Sequence, residues 1–157
     1  MDKFNQIISR YKNARVIIIG DVLLDEYIFG NVSRISPEAP VPVVEVKSQT
    51  YALGGAANVA NNIKAFGGCP YLIGVIGKGY FGDTVRDLML QNKIQTDYLV
   101  EDPARPTTLK TRVMAQNQQV VRVHTETKEK ISARILNEII NRLENMEKKI
   151  KVIVLSD

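Results

Sequence analysis

Two glycines directly before a helical stretch are the strongest candidates for ligand binding in this sequence. Gly54 and Gly55 precede a stretch predicted to be helical from Ala56 to about Phe66, and Gly67-Gly68 follows where a helix end is expected. Glycine lets a ligand approach the backbone closely, and the free N–H groups at a helix start bind hydroxyls or phosphate. Asn58 adds a donor and an acceptor in the first turn. A plain loop entering a plain helix explains the glycine pair alone equally well.

Two aspartates follow the first predicted strand. The β-branched run from Arg15 to Ile19 is typical of a buried strand in a parallel sheet, and it ends at Gly20-Asp21, with Asp25 shortly afterwards. Ligands of open α/β sheets bind beyond the carboxyl ends of the strands, which makes Asp21 and Asp25 candidates for a binding site. A turn aspartate and a surface aspartate are the alternative.

Three basic residues fall on a predicted β-hairpin over residues 107–124. Alternating apolar and polar residues predict two strands, joined by a turn at residues 116–118. Lys110, Arg112 and Arg122 are expected to share one face of this hairpin. Paired basic side chains suit a phosphate, and a solvated basic face is the alternative, with equal weight.

The remaining pattern places these residues on an alternating α/β chain. We predict helices over residues 2–12, 84–92 and 132–146, strands over residues 71–77, 94–100 and 151–155, and a loop over residues 79–83. Residues 27–47 leave this order, because a short strand, a proline-rich run and an alternating strand indicate an excursion from the main sheet. Together with the hairpin, this excursion predicts a small separate sheet.

Composition limits the classes of protein to which the chain can belong. Its 157 residues suit one domain or part of one, and a net charge of +4 suits an anionic small substrate without demanding nucleic acid. One cysteine and one histidine provide neither an intrachain disulfide nor a zinc site. No apolar run has the length of a membrane span, and no signal-peptide core is present. We therefore expect a cytoplasmic protein without membrane partners.

Taken together, these stretches resemble the ribokinase-like sugar kinases of the phosphofructokinase B type. The family's first signature is present in full: the run from Gly54 to Ala60, then Gly67 after six residues, then Gly77 after nine more. A signature of this length is far more specific than a glycine pair. The resemblance implies an α/β fold with a Rossmann-type, mostly parallel sheet between helices and a small β-sheet lid.

Within that family the chain most resembles the heptose 7-phosphate kinases of ADP-heptose synthesis. The resemblance rests on residues 20–25, 33–44, 54–60, 117–122 and 154–157. It implies transfer of the γ-phosphoryl group of ATP, with Mg²⁺, to the C1 hydroxyl of D-glycero-β-D-manno-heptose 7-phosphate. The product would lead to ADP-heptose and the lipopolysaccharide core. It also implies a homodimer formed through the lid, whose segments would be residues 27–47 and 107–124.

The resemblance also assigns roles to the candidate residues. By position, Asp21 and Asp25 match the acidic residues that hold sugar hydroxyls, and Gly54, Gly55 and Asn58 match the sugar-binding loop. The candidates for binding the existing phosphate of the substrate are Lys110, Arg112 and Arg122.

The family's second signature does not occur in the sequence. A Gly-Ala-Gly-Asp run with the catalytic aspartate, and most of the ATP site, are expected beyond Asp157, so the chain resembles the N-terminal part of a sugar kinase domain whose C-terminal half is missing. We therefore expect no catalytic residue here and no kinase activity from these residues alone. Another sugar kinase of this fold and a non-catalytic sugar-binding or dimerisation fragment are the alternatives. A dinucleotide-binding domain is disfavoured, because no Gly-x-Gly-x-x-Gly run follows the first strand.

Overall fold

Two β-sheets and the helices packed on them make up the computed structural model, which describes residues 3–146, 150 and 152–156. In chain order the elements are α1 (Lys3–Tyr11), β1 (Arg15–Gly20), β2 (Val22–Ile35), β3 (Pro42–Gly55), α2 (Ala56–Ala65), β4 (Cys69–Gly77), α3 (Tyr80–Gln91), β5 (Leu99–Asp102), β6 (Thr108–Ala115), β7 (Gln118–Thr125), α4 (Ala133–Glu144) and β8 (Val152–Ser156). Among the described residues, no helix combines the length and the apolar character that a membrane span requires. Three positions used in the predictions lie outside the described residues: residue 2 at the start of the first predicted helix, residue 151 at the start of the last predicted strand, and residue 157 at the end of the family resemblance.

The main sheet consists, within the described ranges, of four parallel strands in the order β5-β4-β1-β8. The side chains of β1 are buried on both faces of this sheet. Ile18 belongs to the same apolar cluster as buried residues of α2 and α3, whereas Ile17 packs with residues of α4. Burial on both faces explains the continuous apolar run of this strand, and the predicted parallel sheet between helices is confirmed.

The second sheet, here called the lid sheet, has the strand order β3-β2-β6-β7. β2 pairs antiparallel with β3 and parallel with β6, and β6 and β7 form the predicted hairpin. The turn residues Gln116 and Asn117 have φ angles of 50° and 63°. Positive φ at both turn positions is the geometry of a type I′ turn, which matches the twist of the flanking strands. The prediction of a separate sheet is therefore confirmed, although the sheet is not small, because β2 and β3 are longer than any strand of the main sheet.

The lid sheet extends further than the sequence pattern indicates. β2 starts at Val22 and β3 continues to Gly55, so the first lid segment extends beyond residues 27–47 at both ends. Asp25 consequently lies within a strand and not in the connection after β1. The physical reason is that Leu23 and Leu24 are both buried, so the alternation that identifies a half-buried strand is lost at this point.

Two shorter elements also differ from the prediction. The predicted loop at 79–83 is largely the first turn of α3, and the predicted strand at 94–100 is reduced to β5, which starts only at Leu99. Ile94 is buried in the core without belonging to a strand, which explains why its apolar character was misread. Two helix boundaries agree with the prediction: Gly67 has a φ of 84° after α2, and α4 begins after Ser132, whose Oγ accepts a hydrogen bond from the N–H of Ile135 at 3.3 Å.

Candidate functional site

A cleft lies where the main sheet meets the lid sheet, at the carboxyl ends of β1 and β4. Its inner part has a volume of about 220 Å³ and its outer part a volume of about 680 Å³. The residues that line both parts are Asp21, Arg105, Thr108, Thr127 and Ile131. Ligands of parallel α/β sheets bind at this edge, so the cleft is where the sequence predicts a site.

Asp21 and Lys110 both line the cleft, although they come from different parts of the fold. Asp21 directly follows β1 and is exposed, and Lys110 lies half-buried in β6 of the lid sheet. A carboxylate that accepts hydrogen bonds from hydroxyls and an ammonium that attracts phosphate therefore line the same space. The structure brings these two predicted residues together.

Asp25 and Arg112 form an ion pair on the lid sheet. Nη1 of Arg112 donates a hydrogen bond to Oδ1 of Asp25, and the guanidinium carbon lies 5.2 Å from the centre of the Tyr27 ring. The hydrogen bond from Arg112 to Asp25 raises the pKa of Arg112 above its ordinary value. Both side chains are partly buried, so this pair is less screened by water than a surface ion pair.

The two glycines end β3 next to the aspartates. Gly55 has a φ of 54°, and a Cβ at this position would lie 2.4 Å from the carbonyl oxygen of Asp21. The same oxygen accepts a hydrogen bond from the N–H of Ala56 at 2.9 Å, which links the start of α2 to the end of β1. At Gly54, a Cβ would lie 2.6 Å from Oδ2 of Asp25. The backbone therefore requires glycine at position 55 independently of any ligand, whereas at the buried Gly54 a Cβ would meet the side chains of Leu23 and Asp25.

Asn58 and Arg122 lie apart from the lining of this cleft. Asn58 is exposed in the first turn of α2, and Arg122 is exposed on β7. Arg122 lies directly opposite Arg112 in the register of β6 and β7, so both share one face of the sheet with Lys110, two positions away on β6. The prediction of a shared basic face is confirmed, and of these three residues Lys110 lines the cleft.

Arg105 lines both parts of the cleft and was not among the predicted site residues. Its Nε lies 3.4 Å from Oδ2 of the buried Asp102, and its Nη2 donates a hydrogen bond to the carbonyl oxygen of Glu129 at 3.0 Å. These contacts connect the end of β5 to the segment that borders the outer cleft. The signal was present in the sequence, because Arg105 follows the carboxyl end of β5 as Asp21 follows β1. The predicted strand at 94–100 ends before β5 does, so Arg105 did not stand out as a residue at the end of a strand.

A buried carboxyl group on the opposite face of the lid sheet was also missed. Glu26 is 6% exposed and accepts hydrogen bonds from Oγ1 of Thr111 and Nε2 of Gln49. The Gln49 amide also donates to the hydroxyl of Tyr51 at 2.7 Å. Burial, a hydrogen bond with Tyr80 and the nearby Glu26 together raise the pKa of Tyr51 to about 12. This network connects three strands of the lid sheet to the start of α3.

The family resemblance implies Mg²⁺, a cation that binds to carboxylate oxygens. The described part of the chain contains no group of three or more His, Cys, Asp or Glu side chains that could hold a metal ion. Mg²⁺ is usually bound by one or two carboxylates together with substrate phosphates, and not by a cage of protein ligands.

The architecture and the cleft together define a class of protein. An open parallel sheet whose carboxyl edge lies against a second sheet is typical of α/β proteins that bind small molecules at that edge. The family follows directly: the model for the pfkB family of carbohydrate kinases matches residues 13–151, and the chain belongs to that family.

Two relatives match three quarters or more of the chain. The chain is 42% identical over 150 residues to the bifunctional protein HldE of Desulfatibacillum aliphaticivorans, which covers 96% of the chain and 31% of that protein. It is 50% identical over 118 residues to the D-beta-D-heptose 7-phosphate kinase of Bordetella bronchiseptica, which covers 75% of the chain and 37% of that kinase. The chain thus spans about a third of the length of these relatives.

Solved structures share the fold at low sequence identity. The phosphofructokinase-2 of Escherichia coli in complex with fructose-6-phosphate has a TM-score of 0.67 at 17% identity, covering 92% of this chain and 45% of that chain. The ribokinase of Cryptococcus neoformans in complex with ADP has a TM-score of 0.52 at 23% identity, covering 71% of this chain and 34% of that chain. These similarities confirm the ribokinase-like fold predicted from the sequence.

Proposed function

We propose that the chain forms the sugar-binding and lid part of a kinase for D-glycero-β-D-manno-heptose 7-phosphate. In this reaction the γ-phosphoryl group of ATP is transferred to the C1 hydroxyl, and the product enters the synthesis of ADP-heptose and the lipopolysaccharide core. Support comes from membership of the carbohydrate kinase family and from the 42% and 50% identities to proteins named HldE and D-beta-D-heptose 7-phosphate kinase.

The observation that carries this proposal is that Asp21 and Lys110 line one cleft. A sugar phosphate requires acceptors for its hydroxyl groups and a cation for its phosphate, and this pair supplies one of each. In the proposed complex, Asp21 accepts hydrogen bonds from sugar hydroxyls and Lys110 binds the 7-phosphate. Arg122, on the same face of the lid sheet, adds a second cation.

The sugar side of the proposed complex is completed by Asp25 and by the loop that contains Gly54, Gly55 and Asn58. Asp25 contributes its carboxylate oxygen Oδ2, because Arg112 contacts the other oxygen, Oδ1. Asn58 lies in the first turn of α2, where free backbone N–H groups bind hydroxyl or phosphate oxygens. These roles are the ones that the family resemblance implies.

Phosphoryl transfer is proposed to need groups beyond those described here. Such transfer relies mainly on positioning and on stabilisation of charge, and the sequence contains no Gly-Ala-Gly-Asp run to supply an anion hole. Residues 1–157 alone are therefore expected to bind sugar phosphate without forming heptose 1,7-bisphosphate from ATP. Turnover by these purified residues in the common enzyme range of about 1–10³ s⁻¹ would contradict this expectation.

Three further parts of the proposal concern the context of the kinase. We propose that it uses Mg²⁺ with ATP, that it forms a homodimer through the lid sheet, and that it acts in the cytoplasm. Light scattering of the protein and of a variant with a charged residue in place of Val121, an exposed apolar residue of β7, tests the dimer. A dimer that persists unchanged in the variant would place the contact elsewhere.

Isothermal titration calorimetry with three ligands tests the proposed substrate: heptose 7-phosphate, unphosphorylated heptose and fructose 6-phosphate. Lys110→Ala should lower the affinity for heptose 7-phosphate by about tenfold or more, because it removes a charged contact. The affinity for unphosphorylated heptose should stay unchanged. Lys12→Ala is the matched control, since Lys12 is exposed at the opposite edge of the main sheet. Tighter binding of fructose 6-phosphate would favour another sugar kinase of this fold, and absence of sugar phosphate binding would contradict the proposal.

A further inference from the structure

Arg112 differs from the other two basic residues of the lid face because its charge is already paired. The side chains of Asp25 and Arg112 are only 18% and 22% exposed, and the two are joined by a hydrogen bond between Oδ1 and Nη1. Within the described residues, Lys110 and Arg122 take part in no ion pair. A guanidinium that is committed to a carboxylate must give up or share that contact before it can bind a phosphate.

Two contacts from β2 fix the orientation of Arg112. In the parallel register of β2 and β6, Arg112 lies beside Tyr27, and its guanidinium carbon is 5.2 Å from the centre of that ring. Tyr27 is itself stacked on Phe29, with 6.2 Å between the ring centres and 13° between the planes. Arginine binds well over aromatic rings, so Tyr27 holds the guanidinium while Asp25 accepts its hydrogen bond.

The two oxygens of the Asp25 carboxylate have different surroundings. Oδ1 accepts the hydrogen bond from Arg112. Oδ2 lies next to Gly54, where a Cβ would come within 2.6 Å of it. Arg112 thus contacts Oδ1 of Asp25, and Oδ2 remains as the second acceptor of the carboxylate.

We propose that Arg112 is a positioning residue for Asp25: it fixes the carboxylate so that Oδ2 accepts a hydrogen bond from a sugar hydroxyl, and it leaves the substrate phosphate to Lys110 and Arg122. This inference rests on the proposed function, because it concerns the same sugar phosphate. It differs from the sequence-based prediction that Arg112 binds the phosphate, which stays a prediction. The raised pKa of Arg112 agrees with it, since a hydrogen bond to Asp25 favours the charged guanidinium.

The test compares two ligands on each variant, because the ratio of their affinities does not depend on the fraction of protein that is folded. Arg112→Met removes the charge and keeps a long side chain. Calorimetric titration should show the same loss of affinity for heptose 7-phosphate and for unphosphorylated heptose, about tenfold to a hundredfold for each. Lys110→Met should lower the affinity for the phosphorylated sugar only. Arg10→Met, in an exposed position of α1, should change neither affinity.

A double-mutant cycle separates positioning from general structural support. If Arg112 acts through Asp25, Arg112→Met should cost little further affinity in a protein that already carries Asp25→Asn. Arg112→Lys, which restores the charge without the planar fork, should recover part of the affinity for both sugars. A residue that only supported the fold would give additive losses in this cycle.

Two results would overturn the inference while the proposed function stands. The first is a clearly larger loss for heptose 7-phosphate than for heptose on Arg112→Met, which would assign Arg112 to the phosphate. The second is an additive cycle with Asp25→Asn. If the unmodified protein binds neither sugar, the proposed function fails and the inference fails with it.

Discussion

The two faces of the lid sheet hold neighbouring acidic residues in different ways. Asp25 and Glu26 are adjacent in β2, and because side chains alternate along a strand they lie on opposite faces. Asp25 is partly exposed and pairs with the charged Arg112, whereas Glu26 is buried and accepts a hydrogen bond from the neutral Thr111. Thr111 and Arg112 are themselves adjacent in β6, so one register produces both pairs.

This difference separates a binding face from a supporting face. On the Asp25 face, the basic residues Lys110 and Arg122 remain without ion pairs among the described residues, and one carboxylate oxygen lies beside Gly54. On the Glu26 face, a buried carboxyl group is stable only because its oxygens are hydrogen-bonded, so its partners hold the strands in register. β2 and β6 thus carry the charged residues on one face, and on the other face they carry the buried hydrogen bonds that hold the strands in register.

Asp25→Ala is expected to have the largest effect on ligand binding and a small effect on folding. It removes the acceptor for a sugar hydroxyl and leaves Arg112 without its partner, so the affinity for heptose 7-phosphate should fall by about a hundredfold or more. Calorimetry measures the affinity, with Asp87→Ala, an exposed carboxylate on α3, as the matched control. In a full-length kinase that contains these residues, nucleotide binding should stay intact. Unchanged sugar affinity would contradict the assignment of this face to binding.

Glu26→Leu is expected to reverse this pattern, with a large effect on stability and a small one on affinity. The buried hydroxyl of Thr111 loses its acceptor, which should lower the free energy of unfolding in urea by about 1–3 kcal/mol. Adding Thr111→Val should recover part of this loss, because both polar partners are then removed. Glu38→Leu, at an exposed position, should change stability by less than about 0.5 kcal/mol. An equally small effect of Glu26→Leu would show that this face does not support the lid sheet.

Arg122→Ala is expected to have a moderate and selective effect. Because Arg122 is exposed on β7, its contact with a phosphate is screened by water. The affinity for heptose 7-phosphate should therefore fall by only about threefold to tenfold. Unphosphorylated heptose should bind as before, and Arg34→Ala, another exposed arginine of the lid sheet, is the control. Equal losses for both sugars would indicate that Arg122 supports the lid without binding phosphate.

Tyr51→Phe should produce the smallest effect, which appears only at high pH. Burial raises the pKa of Tyr51 to about 12, so the folded state favours the protonated phenol more than the unfolded state does. This contribution to stability is complete below the ordinary tyrosine pKa of about 10 and is lost as the pH rises toward 12. Unfolding experiments between pH 10 and 12 should show a shallower fall in stability for Tyr51→Phe than for the unmodified protein. Tyr11→Phe, outside the lid sheet, is the matched control, and an identical fall in all three would contradict the prediction.

Local patterns in the sequence predicted most of the elements and several properties of the candidate residues. The β-branched run before Asp21 indicated a buried parallel strand, and alternation over 107–124 indicated that Lys110 and Arg112 share a face. The glycine after α2 marked the end of that helix. These predictions succeeded because periodicity, capping and turn chemistry depend on residues close together in the chain.

Only the tertiary structure decided which candidates pair and which surfaces meet. Asp25 contacts Arg112 because β2 and β6 pair in parallel, and no local pattern contains that register. Arg105 joins the cleft because its guanidinium is held by Asp102 at the end of a strand that the pattern misplaced. The sequence predicted Gly54 as a ligand contact, and the structure adds that a Cβ there would meet the side chains of Leu23 and Asp25. Register and burial depend on segments far apart in the chain, so they are decided only when the two sheets pack together.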